Sequence, residues 1–133
     1  MKIYIKSSSA ILNPIEVDSK WMYKPFDSAS QIYENPIEYA GDELAEEVVD
    51  AAHSFRYEAV AEDIEDVDLD ELKSVQAFVT KEGLRSSKES NKDVWAVRYE
   101  GNLYLMDGNH RVARAKMKGD KYYKMLVSTL EEV

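Results

Sequence analysis

The chain has 133 residues and a formal net charge of −9, and 44% of its residues are hydrophobic. This length suits a single domain over residues 1–133, and the composition is typical of a globular rather than a disordered protein. The absence of cysteine excludes disulfides, thiolate metal sites and thiol catalysis. The sequence has neither a bilayer-spanning apolar run nor a signal peptide, so we expect a soluble, cytoplasmic protein.

The first half of the chain predicts one strand, an irregular segment and a long acidic helix. Residues 2–6 alternate isoleucine with polar residues, which predicts a strand. Three prolines interrupt residues 7–41, where we predict irregular structure with a short helix near 28–33. Residues 42–60 predict an amphipathic helix capped by Asp42. Its apolar positions are Leu44, Val48, Ala52, Phe55 and Ala59.

The middle of the chain predicts an extended stretch followed by a second helix. Residues 62–69 alternate acidic residues with isoleucine and valine, which favours a short extended stretch with one buried face. Residues 70–83 predict a helix that Asp70 opens and Gly83 ends.

The last third of the chain combines a hairpin with a strand–helix–strand unit. Residues 94–99 and 103–106 predict two strands joined by a tight turn. A compact helix over residues 110–118 ends at Gly119, and residues 122–127 predict a last strand. This order of elements predicts a small α+β domain with a mixed sheet.

Charge is distributed unevenly along the chain. Residues 42–71 contain thirteen Asp or Glu and one Arg, whereas residues 72–133 contain twelve Lys or Arg and eight Asp or Glu. The negative net charge argues against strong direct binding to nucleic acid. The acidic run 58–71 is either a solvated face or a surface for a basic, DNA-binding protein partner.

The turn before the last helix concentrates groups that can meet an anion. The sequence there reads Asp107-Gly108-Asn109-His110-Arg111, with Arg114 one turn further on. The N-terminus of a helix leaves backbone N–H groups unpaired and carries partial positive charge, so it suits a phosphate or carboxylate. Arg111 is therefore the main candidate ligand for an anion, and Arg114 either reaches the same anion or is solvated.

Two residues of this turn are candidates for catalysis. His110 either caps the helix or acts as an acid, a base or a phosphate donor. Asp107 either caps the helix, orients Arg111 or holds a divalent ion beside a bound phosphate. We assign no residue as a dedicated metal ligand. Two further candidates are Gln76, which could bridge to the turn, and residues 83–87, which form either a second ligand-contacting loop or an ordinary helix end.

The same turn, together with Ala113, Ala115 and Gly119, resembles the nucleotide-binding signature of the ParB/sulfiredoxin superfamily. Residues 68–76 and the hairpin over 95–106 occur in the order that this superfamily uses. The resemblance covers residues 64–128 and leaves residues 1–60 unassigned. The nearest likeness is to short ParB-like nuclease domain proteins of phages and mobile elements that carry an Asp-Gly-Asn-His-Arg turn.

This resemblance implies a ParB/sulfiredoxin-like fold that binds a nucleotide, such as ATP or CTP, with Mg²⁺ as the accompanying ion. It implies that Gly108 permits close backbone approach to a phosphate and that Arg111 is the principal ligand. The implied ligand-binding set is Gly108, Asn109, His110, Arg111 and Arg114. Asn109 stands where sulfiredoxins have their catalytic cysteine and where partition proteins have a glutamate. Thiol repair is therefore excluded, and nucleotide hydrolysis is not assigned.

Two functions follow from the sequence as hypotheses. The first is a nucleotide- or phosphate-binding protein that acts, if it is an enzyme, at a phosphoryl centre. The alternative is a noncatalytic acidic interaction protein that binds a basic or DNA-binding partner. A nuclease is not predicted, because the basic half lacks carboxylates at metal-binding spacing. The partition proteins of the superfamily carry a helix-turn-helix domain after this unit. We do not predict operator binding, because no such segment follows the signature in this sequence.

Overall fold

A mixed six-stranded sheet forms the centre of the protein in a computed structural model that describes residues 2–5, 15–18, 31–87 and 94–133. In chain order the elements are β1 (Lys2–Ile5), β2 (Ile15–Asp18), β3 (Ile32–Glu34), β4 (Glu38–Tyr39), α1 (Asp42–His53), β5 (Tyr57–Asp68), β6 (Leu72–Ser74), β7 (Phe78–Thr80), α2 (Lys81–Ser86), β8 (Trp95–Tyr99), β9 (Asn102–Asp107), α3 (Asn109–Met117) and β10 (Tyr122–Glu132). The described residues are thus of the α+β class.

The sheet has the strand order β4-β6-β9-β8-β10-β5. Strands β4, β6 and β9 run parallel to one another, β8 and β9 form an antiparallel hairpin, and β8 runs parallel to β10. At the far end β10 and β5 form a long antiparallel ribbon with a bulge beside Thr129 and Leu130. Two small antiparallel pairs, β1 with β2 and β3 with β7, stand outside this sheet.

Side chains from alternate positions of β8 and β9 build a core on each face of the sheet. On one face Val48 of α1 packs with Val97 and Tyr104. On the other face Val112 of α3 packs with Ala96 and Leu105. Because successive strand residues point to opposite faces, this two-sided burial accounts for the apolar runs in both strands. Within the described residues, no helix has the length and apolar content needed to cross a membrane.

Several predicted elements are confirmed. The first strand, the hairpin strands and the last strand are present, and the last strand continues to Glu132. Residues 62–68 of the extended stretch predicted over 62–69 lie in β5, which is longer than expected, but the predicted buried face is wrong at Ile64, which is 61% exposed. The helix predicted over 110–118 is α3, and Gly119 follows it with a φ of 97°. These elements are specified by local patterning and by turn residues, which the sequence displays directly.

The helix predicted over residues 42–60 is too long. It ends at His53, and the following residues form β5, in which Ala59 pairs with Leu130 of β10. Phe55, which the periodicity predicts on the apolar face of the helix, is exposed. Pairing with β10 satisfies the backbone of these residues, and this tertiary interaction outweighs the helical periodicity. Asp42 is the first helical residue rather than the cap, and its carboxylate accepts a hydrogen bond from the Tyr39 hydroxyl.

The helix predicted over residues 70–83 is also wrong. Leu72 and Ser74 belong to β6, which fits between β4 and β9, and β7 follows before α2 begins at Lys81. The short helix predicted near residues 28–33 is contradicted at its end, since Ile32–Glu34 is β3, while residues 28–30 lie outside the described part. Ile15–Asp18, within the segment predicted to be irregular, is β2. The first two errors concern strands whose partners are distant in the sequence, whereas β2 pairs with β1, the strand that precedes it.

Candidate functional site

A cleft of about 250 Å³ lies where the first turn of α3 meets α2. Residues 106–111 form one side of this cleft, and Gln76, Gly83, Ser86 and Ser87 form the other. The structure therefore brings the signature turn, residues 107–111, together with both weaker sequence candidates, Gln76 and residues 83–87. Residues 83–86 are part of helix α2, so neither a ligand-contacting loop nor a helix end at Gly83 is present. The fold places them there because β9 leads into α3 and β7 leads into α2.

Gly108 is the hinge between β9 and α3. Its φ of 87° lies in the left-handed region, which glycine adopts without steric cost. A Cβ at this position would lie 2.8 Å from Cγ2 of Val94 and 3.3 Å from its Cα. Glycine is therefore required by backbone conformation and by packing against Val94, a reason different from the phosphate approach that the resemblance implies.

The first turn of α3 directs backbone N–H groups towards the cleft. The first intrahelical hydrogen bond runs from Val112 N to Gly108 O at 3.0 Å, so the helix itself provides no acceptor for the amides of residues 109–111. No side chain of the described residues caps this end. Asp107 accepts a hydrogen bond from Gly108 N instead, at 2.9 Å. The turn thus has the partial positive charge of an uncapped helix N-terminus.

Asn109 is buried, with 5% of its surface exposed, although it lines the cleft. Its Oδ1 accepts hydrogen bonds from the Ser74 hydroxyl and, at 3.4 Å, from Nδ2 of Asn35. Because the oxygen is turned towards Ser74 and Asn35, Nδ2 is the polar side-chain atom left for the cleft. This NH₂ group can donate two hydrogen bonds beside the uncapped helix end.

His110 joins α3 to the start of α2. Its Nε2 accepts a hydrogen bond from Thr80 N at 3.1 Å, so Nδ1 carries the hydrogen of the neutral ring. Burial lowers the pKa of His110, which favours this neutral form. A Cβ on Gly83 would come within 2.3 Å of Nε2. Gly83 therefore provides the space in which the imidazole reaches the backbone of Thr80.

The two arginines of α3 have different surroundings. Arg111 lines the cleft beside Asn109 and His110. Arg114 donates a hydrogen bond from its guanidinium to Leu84 O at 3.0 Å and does not line the cleft. Its Nε is buried without a hydrogen-bond partner among the described residues. Of the ligand-binding set predicted from the sequence, Arg114 is thus the member directed at α2 instead of the cleft.

Sequence reasoning missed the residues behind the cleft. Asn35 and Ser74 are both buried and contact Asn109, and Thr80 binds His110 through its backbone. Asn35 lies in the segment predicted to be irregular, and Ser74 lies in the helix predicted over residues 70–83. Their part in the site depends on strand pairing between distant segments, which periodicity does not display.

The described residues contain no group of three His, Asp or Glu side chains that could hold a metal ion. Comparisons of the chain with protein-family models, with curated proteins and with solved structures find no match.

Proposed function

We propose that the cleft binds an anionic group, namely the phosphate of a nucleotide or of another small ligand, at the first turn of α3. The observation that carries this proposal is the side chain of Asn109, which lines the cleft while its Oδ1 is engaged by Ser74 and Asn35, so that its NH₂ group is the donor left beside the uncapped helix N–H groups. An anionic ligand oxygen would accept hydrogen bonds from these donors.

The donors around the cleft are mostly neutral. Asn109 offers its NH₂ group and His110 offers Nδ1–H, while Arg111 supplies formal positive charge. Oriented dipoles and one arginine form a suitable environment for phosphate oxygens. The cleft volume of 250 Å³ is below the range of roughly 300–1,000 Å³ usual for whole ligands, so it suits the phosphate-bearing end of a nucleotide.

His110 and Asp107 are the two residues of the cleft that the sequence suggested for chemistry at a bound phosphate. Nε2 of His110 is occupied by Thr80 N–H, so the neutral ring faces a ligand as a donor rather than as a base. Mg²⁺ typically binds through one or two carboxylates, substrate phosphates and water. Of the residues that line the cleft, Asp107 would supply the carboxylate for such an ion, which would neutralise charge on a bound phosphate.

Replacing Arg111 with alanine tests the proposal. Calorimetric titration of inorganic phosphate, ADP, ATP and CTP, each with and without Mg²⁺, should show binding of at least one of them to the wild-type protein. Loss of a hydrogen bond from a charged donor costs about 1.5–3 kcal/mol, so Arg111→Ala should weaken that binding by about 10- to 100-fold.

Arg114→Ala is the matched control, because it removes the same type of side chain from the same helix. Arg114 donates to Leu84 O outside the cleft, so this variant should bind like the wild-type protein. Circular dichroism should first establish that both variants are folded. The proposal is wrong if the wild-type protein binds none of these ligands, or if Arg111→Ala leaves the affinity unchanged.

A second candidate function, binding of a basic protein partner, is favoured by strand β5. This strand is at the edge of the sheet, and residues 58–64 are all exposed. Its twelve residues include six Asp or Glu and no Lys or Arg. Glu58 stands directly opposite Glu131 on β10, a pairing of like charges that destabilises a sheet. A lysine-rich extended segment pairing with this edge would relieve that repulsion.

Charge reversal on β5 tests this second candidate with a defined peptide that alternates lysine with valine. Lysine at Glu62, Asp63 and Asp66 should abolish binding measured by fluorescence anisotropy. Glu65 is kept because it binds Arg98 at 2.9 Å. The control places lysine at three exposed sites elsewhere, namely Glu38, Glu43 and Glu46. The two triple variants have equal net charge, so equal loss in both would show nonspecific attraction and reject the β5 surface.

A further inference from the structure

We infer that Asn35 and Ser74 are positioning residues that hold the Asn109 amide so that its NH₂ group faces the cleft as a fixed double donor for phosphate oxygens. This inference rests on the proposed function and names the group that orients the ligand. Neither positioning residue lines the cleft. Both act through Asn109.

The orientation of the Asn35 amide is fixed first. Its Oδ1 accepts a hydrogen bond from Ile37 N at 3.0 Å, and its Nδ2 donates to Gln76 O at 3.0 Å. A backbone N–H can only donate and a backbone carbonyl can only accept, so these two contacts allow one orientation of the amide. Nδ2 of Asn35 is therefore the atom that faces Ser74 and Asn109.

The direction of the Ser74 hydroxyl follows from that of Asn35. Its Oγ accepts hydrogen bonds from Gln76 N at 2.9 Å and from Nδ2 of Asn35 at 3.2 Å. With both lone pairs used, the hydroxyl hydrogen is available to one acceptor, Oδ1 of Asn109. The hydrogen bonds of Asn35 with Ile37 and Gln76 thus determine, through the Ser74 hydroxyl, which atom of the Asn109 amide acts as the acceptor.

The Asn109 amide is consequently held in one orientation before any ligand binds. Its Oδ1 accepts from the Ser74 hydroxyl and, at 3.4 Å, shares with Ser74 Oγ the second Nδ2 hydrogen of Asn35. Asn35, Ser74 and Asn109 are 8%, 0% and 5% exposed. Hydrogen bonds in such a low-dielectric environment are strengthened, and a fixed donor loses little entropy on binding. Two N–H donors without charge match the acceptor oxygens of a phosphate and offer nothing to a cation.

The inference also assigns a role to the first part of the chain. Asn35 lies outside residues 64–128, the part to which the sequence resemblance extends. It reaches the site because its backbone N donates to Ala77 O at 3.0 Å, which continues the β3–β7 pairing. The segment before α1 therefore contributes to the site through hydrogen bonds, although it does not touch the ligand.

Replacing Ser74 with alanine tests this positioning. Phosphate, or whichever nucleotide the wild-type protein binds, should bind about fivefold more weakly to Ser74→Ala, the expected effect of one lost hydrogen bond. Ser128→Ala is the matched control, because Ser128 is 2% exposed and its hydroxyl accepts a hydrogen bond from Trp95 Nε1 at 2.9 Å. Neither Ser128 nor Trp95 lines the cleft. It should lose stability but keep its affinity. Ser74→Cys, which keeps the side-chain volume with a weaker donor, should give an intermediate affinity if the alanine variant does not fold.

A spectroscopic signal separates positioning from general stabilisation. Asn109→Asp replaces the two donors with negative charge, so it should weaken phosphate binding on the order of 100-fold and identify the Asn109 side-chain NH₂ resonances by their loss. In the wild-type protein these resonances should exchange slowly and shift when phosphate is added. In Ser74→Ala they should exchange faster, whereas in Ser128→Ala they should not change.

Two results overturn the inference in different ways. If the wild-type protein binds neither phosphate nor nucleotide, the proposed function fails and the positioning role fails with it. If the wild-type protein binds and Arg111→Ala weakens binding, but Ser74→Ala retains wild-type affinity and slow NH₂ exchange, the proposed function stands and the positioning role is wrong.

Discussion

Replacing Gly108 with alanine is expected to lower the free energy of unfolding by about 2–5 kcal/mol. About 1–2 kcal/mol comes from holding an alanine at a φ of 87°, in the left-handed region. A further 1–3 kcal/mol, roughly, comes from overpacking, since the new Cβ would lie 2.8 Å from a methyl group of Val94 and 3.3 Å from its backbone. Urea denaturation followed by circular dichroism measures this change.

Gly101→Ala provides the control for backbone strain alone. Gly101 has a similar φ of 84°, but a Cβ there would meet nothing within 4 Å. Its alanine variant should therefore lose only about 1–2 kcal/mol. Equal losses at Gly101 and Gly108 would show that Val94 yields without cost and that packing does not require glycine at the signature turn.

Replacing Gly83 with alanine is expected to destabilise the protein by about 1–3 kcal/mol, although alanine is the better helix former. Gly83 lies in α2, where its Cβ would occupy the position of the His110 imidazole, 2.3 Å from Nε2. The ring cannot move away without breaking its hydrogen bond with Thr80 N. The alanine should therefore displace the ring and leave a backbone donor unpaired.

The effect of Gly83→Ala on the free energy of unfolding should change sign in a His110→Ala background. Without the imidazole, the Cβ finds open space, and Gly83→Ala should stabilise the protein by about 0.5–1 kcal/mol through helix propensity. A double-mutant cycle from four urea denaturation curves measures the coupling between the two residues. Additive effects would contradict the close packing of Gly83 and His110.

The sequence displayed the elements whose signals are local. Trp95, Val97 and Tyr99 alternate along β8, the turn at Gly101 closes the hairpin, and Gly119 ends α3. Each signal depends on residues within one element or one turn, so periodicity and turn chemistry are sufficient to predict it.

The errors concern segments whose structure is decided by a distant partner. Residues 57–61 continue the helical spacing of α1, yet pairing with β10 draws them into β5. Leu72 and Ser74 lie in a helix-like pattern, yet β6 occupies the gap between β4 and β9. Sheet pairing of this kind is set by packing across the molecule, and intrinsic preference yields to it.

The residues of the candidate site also fall into those that local sequence predicts and those that depend on tertiary contacts. Gly108, Asn109, His110 and Arg111 were found from the order of residues in one turn, and they do line one cleft. Asn35 and Ser74 could not be found in this way, because a buried polar network exists only after two remote strands have been placed. That Arg114 would be directed away from the cleft could not be predicted either, because its hydrogen bond to Leu84 O depends on how α2 lies beside α3.

The pairing of β3 with β7 and of β4 with β6 joins segments that lie before and after residue 64, so the later part of the chain does not pack independently. The portion for which the sequence predicts a superfamily resemblance begins at residue 64, within β5, but Tyr33 from before that point packs with Val79, Leu84 and Ala113. A fragment cut at residue 64 would lose this packing, together with α1 and half of the longest strand. The part of the chain that carries the sequence signature is therefore shorter than the part that packs together. A fragment intended to retain the cleft should begin before β3.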